Sequence, residues 1–443
     1  MNQGELPSAG IPGLSDADRR ITKAISLLLV GPIVAYIASL WMVRPMALGD
    51  TFSLTLMAPA LLVIGLLTLR IPRVYFLQQL RKVGVEFILL GIIVVLSFLS
   101  IINHDEPIRS FRIIFPSVLP LVIFFHLVVM KYLSPGRLEQ VPRMMIGAAF
   151  LFSVIPGLLA LVIPPIGEYM TVSYRIRGMF ENSIQHSIAL GTIVPLVVVE
   201  FALAKTMKKK VIWTLLLLLL AFTTFRAGSK FVLGVSFSTG LLLYALLALR
   251  TRSFIKISFV VVGIATMSVF LWFFGLPLAE LINPTIAEKL RSIIEGGVAN
   301  YQSVESRKLL WDEALAQGKR HWLIGTGAGE KVHGISHSHN LVLDYFKGIG
   351  IFGAALIALL CLSIVARTIV KGSYVVLGMG GETDVRVLAC YVSATNYVIC
   401  NQMSDCFGPS TVGFLWVTYL AGRMLEPIRR TSMRVGNGAP IAA

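Results

Sequence analysis

An all-α, polytopic membrane protein is the fold class that this sequence predicts, and three observations carry it. Of 443 residues, 56% are hydrophobic and only 14% charged, against roughly 25% charged in soluble domains. The apolar residues gather in runs of about 20, the length at which a helix crosses a bilayer while satisfying its own backbone. The basic residues cluster between alternate runs, as in "RIPRVYFLQQLRK" and "KTMKKK", which is the pattern of cytoplasmic loops. The net charge of +16 is therefore mostly topological and does not imply a nucleic-acid partner. It predicts that both termini are cytoplasmic.

In chain order, about twelve spans qualify, near 23–43, 51–69, 84–103, 113–131, 143–164, 184–204, 210–225, 229–249, 254–275, 340–366, 387–402 and 407–423. The first 18 residues hold no apolar core, so the first span is expected to direct insertion without a cleaved signal. Most connections are short, and two outward ones are long. The first is "PPIGEYMTVSYRIRGMFENS", 164–183. The second, 276–338, separates the ninth and tenth spans and holds helix-like "TIAEKLRSIIEG" and "ESRKLLWDEALAQGKR", then a Gly-rich turn, "IGTGAGE". It predicts a helical external cap inserted into one membrane domain spanning 1–443. Cys361, Cys390, Cys400 and Cys406 all fall in the last three apolar segments. Most are expected to be packing thiols; Cys406 is placed towards the oxidising side, where the long outer loop holds no cysteine for it to pair with.

Chemistry-bearing side chains collect at outer helix ends. In "GISHSHNLVLDYFKGIGIFG", 334–353, two histidines and an asparagine stand before the tenth span. His339 lies where a helix N-terminus supplies amide donors and a positive dipole. Residue type alone leaves three readings open: a general base, an interfacial histidine capping the helix, or a metal site shared with His333 and His337. The metal reading is the poorest, because no second carboxylate or thiolate group accompanies the cluster. Arg175 and Arg177 stand in "SYRIRGMFENS", Arg226 and Lys230 in "TTFRAGSK", and Arg307 in "ESRKLLWDEAL". Converging arginines bind phosphate oxygens bidentately and suit a pyrophosphate. The alternative is snorkelling to lipid headgroups or, for Arg307, an ordinary solvated face. Asp312 and Glu313 are adjacent, diverge around a helix and make a poor acid/base pair.

These residues also carry a resemblance. "HNLVLDYFKGIGIFG" reads His-Asn, nine residues, Gly, two residues, Gly, with His339, Asn340, Gly350 and Gly353 in place. It resembles the O-antigen ligase family, within the larger group of ligases and polymerases acting on undecaprenyl-diphosphate-linked glycans. "TTFRAGSKFVLG" resembles that group's Ser-Arg-Gly segment, although Thr224 and Phe225 precede Arg226 here and no serine does. "SRKLLWDEALAQGKRHWLIGTGAGE" resembles its Arg-through-Trp segment and Gly-x-Gly turn.

The resemblance implies a glycosyl transfer without metal or cofactor and with inversion, in the bacterial inner membrane with the site facing the periplasm. O-antigen polysaccharide would pass from undecaprenyl diphosphate to a sugar hydroxyl of lipid A-core oligosaccharide. His339 would be the general base. Arg226, Arg307, Arg177, Arg175 and Lys230 would hold the donor diphosphate, with Asn340, His337, Gly350 and Gly353 in support. An O-antigen polymerase would use the same donor with a second lipid-linked glycan as acceptor, and a third relative would glycosylate a protein hydroxyl. A transporter is disfavoured because Glu86, Glu200 and Asp344 are expected towards segment ends and no internal repeat is visible.

Overall fold

The structure is a computed structural model that describes residues 71–114, 119–133, 135–172, 175–178, 183–251, 302–327, 338–402 and 409–426, with single positions at 258, 280, 287, 288, 291 and 330. The expected spans 23–43 and 51–69, nearly all of 254–275, and His333, His337 and Cys406 lie outside the described residues.

Helices dominate, as expected: α1 (Arg73–Ser100), α2 (Pro107–Ile114), α3 (Leu119–Leu133), α4 (Pro135–Leu138), α5 (Val141–Ala149), α6 (Ile155–Leu159) and α7 (Pro164–Met170). There follow α8 (Ser183–Leu203), α9 (Met207–Ala227), α10 (Lys230–Arg250), α11 (Gln302–Arg320), α12 (Leu341–Val376), α13 (Glu382–Asn401) and α14 (Pro409–Leu425). A π-helical segment, Phe150–Val154, joins α5 to α6. One departure from the all-α expectation is a small antiparallel hairpin, β1 (Thr171–Val172) with β2 (Arg175–Ile176). Among the described residues, six helical stretches are long and apolar enough to cross a membrane: Arg73–Asn103, Pro135–Leu159, Ser183–Leu203, Met207–Ala227, Phe231–Arg250 and Leu341–Val376. The helices α13 and α14 cover the eleventh and twelfth expected spans but fall outside that set, α13 opening on Glu382, Asp384 and Arg386 and α14 having 17 residues.

Position in the bundle follows from which faces are apolar. On α1, Val85, Ile88, Ile92, Val95 and Leu99 form an exposed stripe at helical spacing, suited to lipid. Its other face buries Val83, Glu86, Leu90, Ile93 and Val94. Helix α8 is apolar all round, with 83% of its span buried against 22% for α9, so α8 is central and α9 peripheral. It packs against α9, α10 and α13. Pro195 inside α8 has no N–H for the carbonyl four residues back. That carbonyl, Gly191 O, accepts instead from Asn396 Nδ2 on α13 at 2.7 Å, and the same nitrogen lies 3.0 Å from Ser236 Oγ on α10. Gly191 also permits the close approach, since a Cβ there would stand 2.3 Å from Ser236 Oγ.

Charged contacts orient the helices. Glu200 near the end of α8 meets Arg143 at 2.8 Å and Arg386 at the start of α13 at 3.2 Å. Lys371 near the end of α12 meets Asp384 at 2.5 Å, and Arg250 at the end of α10 donates to Gly380 O. The ends of α8, α10 and α12 are therefore together, and so are their starts. Glu86 lies midway along α1, because "RVYFLQQLRKVG" extends the helix before the apolar run, and its partner Arg367 stands in the last third of α12. Glu86 is fully buried and accepts from Arg367 and, at 2.7 Å, from Ser363.

Replacing Asn396 with Leu would leave Gly191 O without a donor in an apolar bundle, at a cost of about 1–3 kcal/mol. The thermal midpoint in detergent should fall by several degrees relative to Gln402→Leu at the end of the same helix. Equal midpoints would dismiss the role given to Asn396.

Candidate functional site

The apolar run after His339 forms two helical pieces, where the sequence suggested one continuous span at 340–366. Ile349 (φ −132°, ψ 15°) and Gly350 (φ 78°, ψ −172°) leave helical space inside α12. Gly350 occupies a region open essentially to glycine, and a Cβ there would lie 2.2 Å from Leu323 O. The break deprives nearby backbone groups of helical partners, and the "IGTGAGE" turn supplies new ones. Thr326 N–H donates to Lys347 O at 2.8 Å, Gly327 N–H to Gly348 O at 2.9 Å, and Ile351 N–H to Trp322 O at 2.8 Å. Gly325 lets the turn approach, since its Cβ would stand 2.4 Å from the Gly348 carbonyl. Gly353 makes room for Ile349, whose Cγ1 a Cβ would meet at 2.0 Å.

Side chains from both flanks secure this joint. Asn103, beyond the end of α1, donates through Nδ2 to Gly325 O at 3.0 Å. Lys347 is fully buried and its ammonium donates to Glu330 O. His104 Nδ1 accepts from Glu106 N–H at 2.7 Å, which places the ring proton on Nε2, 3.5 Å from the Glu330 carboxylate. Asn103, His104 and Glu330 escaped sequence reasoning; the Gly-x-Gly turn was the only visible sign of this joint.

His339 stands at the head of α12 with φ 60°, the one described non-glycine residue with positive φ, a region uncommon for side-chain-bearing residues. Its neighbours hold it there. Asn340 Oδ1 caps the helix by accepting from Leu343 N–H at 3.0 Å. Asp344 Oδ1 reaches back to Ser338 N–H at 2.6 Å, and the Ser338 hydroxyl donates to Asn340 O at 3.4 Å. Ser338 and Asp344 are fully buried while the His339 side chain is half-buried. The imidazole is thus carried at the positive end of a capped helix.

The arginine hairpin is positioned just as specifically. Arg177 N–H donates to Met170 O at 2.9 Å, closing the turn begun by α7. Ile176 is fully buried and plugs the space beside Gly157, where a Cβ would meet it at 3.1 Å. Buried His186 on α8 donates from Nδ1 to Ile176 O at 3.1 Å, while its Nε2 accepts from Ser153 of the π segment. On the other side, Arg175 lies across Gly228, where a Cβ would stand 2.9 Å from its Cδ and Nε. Gly228, with φ 83°, ends α9 directly after Arg226 and Ala227. The hairpin thereby brings Arg175 to the helix end that carries Arg226. The Arg175 Nε is buried without a hydrogen-bond partner among the described residues. His186 and Ser153 were not legible as site residues, because each reads locally as a polar residue in an apolar run.

Since the starts of α8, α10 and α12 are together, His339, Arg226, Lys230 and the hairpin occupy one end of the bundle. Lys230 opens α10, and its side chain lies outside the described residues, as does His337. Arg307 is half-buried on α11, which packs on α12 so closely that a Cβ on Gly318 would stand 2.4 Å from the Phe346 ring. Among the described residues no three His, Cys, Asp or Glu side chains group as metal ligands.

Residues 214–358 match the family model described as O-antigen ligase. The match supports an O-antigen ligase family assignment, and with it an activity of the ligase or polymerase type in general. It runs from within α9 to just beyond Gly353, taking in Arg226, Lys230, Arg307, His339 and Asn340 and leaving Arg175 and Arg177 outside. No curated protein matches the chain.

Gly350→Ala should undo the joint, through backbone strain of at least about 2 kcal/mol and the clash with Leu323 O. The expected readout is a lower melting temperature and faster tryptic cleavage at Lys319 and Arg320. A variant as stable and as resistant as the parent would dismiss the joint.

Proposed function

We propose, from the O-antigen ligase family match over residues 214–358, that the chain transfers O-antigen polysaccharide from undecaprenyl diphosphate to a sugar hydroxyl of lipid A-core oligosaccharide. The reaction takes place at the periplasmic face of the bacterial inner membrane. One observation carries this reading: an imidazole capped at the head of α12 shares the bundle end with Arg175 and Arg226, brought together at Gly228.

The chemistry needs little else. His339 accepts the proton of the acceptor hydroxyl as its oxygen attacks the anomeric carbon. The carbon–oxygen bond to the diphosphate breaks, and its electron pair leaves with the diphosphate. Charge grows on the leaving group, and cations stabilise it most in the transition state. Arg175, Arg177 and Arg226, with Arg307 and Lys230, hold the diphosphate, and the buried Nε of Arg175 finds a partner in a phosphate oxygen. A single base and no nucleophilic side chain make this an in-line displacement with inversion. A diphosphate already leaves readily, so the reaction proceeds without a metal. Asn340, Gly350 and Gly353 support the base through the cap and the joint, and His337 assists it.

The test mixes purified protein with undecaprenyl-diphosphate glycan and core lipopolysaccharide and separates the products on a gel. A ladder on the core lipid is expected; chain growth on undecaprenyl diphosphate would instead show a polymerase. His339→Asn, which tolerates the left-handed backbone, should lower transfer by about 10²–10⁴-fold with an unchanged melting temperature. Near-normal transfer by this variant would sink the mechanism. Arg226→Ala should lower the rate at saturating donor as well as raise KM, with partial rescue by lysine, which keeps the charge and loses the fork. If it behaves like Lys208→Ala at the opposite end of α9, the diphosphate is held elsewhere.

A further inference from the structure

The end of the bundle opposite His339 holds a concave site, lined by α12 residues that stand roughly 20–35 Å beyond the break at Gly350 at 1.5 Å per residue. It is a cavity of about 820 Å³ between α1, α12, α13 and α14, large enough for a phosphorylated headgroup rather than a few waters. Five cationic side chains line it, Arg81, Lys82, Arg367, Lys371 and Arg423, against two carboxylates, Asp384 and Glu426.

Pairing leaves a positive surplus. Lys371 is matched by Asp384 at 2.5 Å, Arg423 by Glu426 at 2.7 Å, and Arg367 by buried Glu86. No carboxylate lies within ion-pair distance of Lys82, Arg81 or neighbouring Lys131 among the described residues. Two lysine amino groups converge on one backbone atom: Lys82 Nζ donates to Glu426 O, and Lys131 Nζ lies 3.3 Å from the same oxygen while donating to Met424 O. The C-terminus of α14 offers about half a negative charge, so holding both amino groups in the charged form calls for a further anion. Arg81 stands exposed at the rim. Like charges held together in a site walled by apolar helices call for an anion.

We propose that this cavity binds the phosphate group of an anionic ligand, with an anionic phospholipid headgroup of the surrounding leaflet as its main source. The basic clusters gather at this end, which makes it cytoplasmic by the positive-inside rule, and basic pockets between helices on that side suit acidic headgroups. The bound phosphate would neutralise Lys82 and Lys131 and tie α1 to α14. This inference stands apart from the transfer reaction and is tested without it.

The experiment measures melting temperature in nanodiscs of phosphatidylcholine alone or with phosphatidylglycerol, and in detergent with inorganic phosphate replacing chloride at constant ionic strength. The parent protein should gain several degrees from phosphatidylglycerol, and Arg81→Gln/Lys82→Gln should lose at least half of that gain. Arg81→Gln alone, which disturbs no hydrogen bond among the described residues, should lose part of it and decides the matter if the double variant folds poorly. A gain from inorganic phosphate that the variants also lose would support the same site with a soluble source. Equal gains in parent and variants, or an equal loss in the control Lys208→Gln/Lys209→Gln at the same end, would overturn the proposal.

Discussion

A backbone amide or carbonyl inside an apolar bundle must find its partner within the protein, and the described architecture depends on how this chain meets that demand where its helices break. An unmet group costs about 1–3 kcal/mol, so each interruption must be repaired, and each repair comes from far along the chain. The broken α12 is repaired by the turn at 325–327, itself held by Asn103. The carbonyl freed by Pro195 in α8 is taken by Asn396 on α13. The π segment places Ser153 against His186, which then holds Ile176. Three irregularities in helices thus become three cross-links between elements distant in sequence.

The repairs also govern where chemistry can happen. Because α12 is broken at Ile349 and Gly350, His339 is not carried rigidly by the long helix beneath it. Its position is set by the short piece Leu341–Gly348, by the glycine turn against that piece, and by the Asn340 and Asp344 cap. The arginine hairpin follows the same logic: His186 fixes its backbone, Ile176 anchors its root, and Gly228 receives the Arg175 stem. An imidazole and an arginine placed by independent local supports can keep their geometry even if the bundle around them flexes.

Much of this was legible in the sequence, and what was not has a physical cause. Apolar runs located α8, α9, α10 and α14 to within a few residues, because burial and span length leave a direct compositional trace. His339, Asn340 and the two glycines stood out through their spacing. The same spacing did not reveal that Gly350 interrupts the helix, since a glycine in an apolar run fits a tight packing contact as well as a break. Only the turn that satisfies the break distinguishes the two, and it lies more than twenty residues upstream. His186 and Asn396 were invisible for the same reason: their partners, Ile176 O and Gly191 O, are backbone atoms with no signature of their own.

The carboxylate-paired cations of the bundle and Arg175 are held by different means. At the end where α8, α10 and α12 finish, Arg143, Arg386, Lys371 and Arg367 are matched to Glu200, Asp384 and Glu86. Such pairs add little net stability once desolvation is counted, but they fix which helix stands beside which. A guanidinium locked to a carboxylate in this way has little charge left to offer a ligand. Arg175 is held otherwise, by methylenes packed on Gly228 and by a hairpin pinned through its backbone, and no carboxylate pairs with it among the described residues. Support by packing and backbone fixes the position of a cation and leaves its charge unspent. It separates Arg175 physically from the arginines that organise the bundle, as the diphosphate-binding role proposed for it requires.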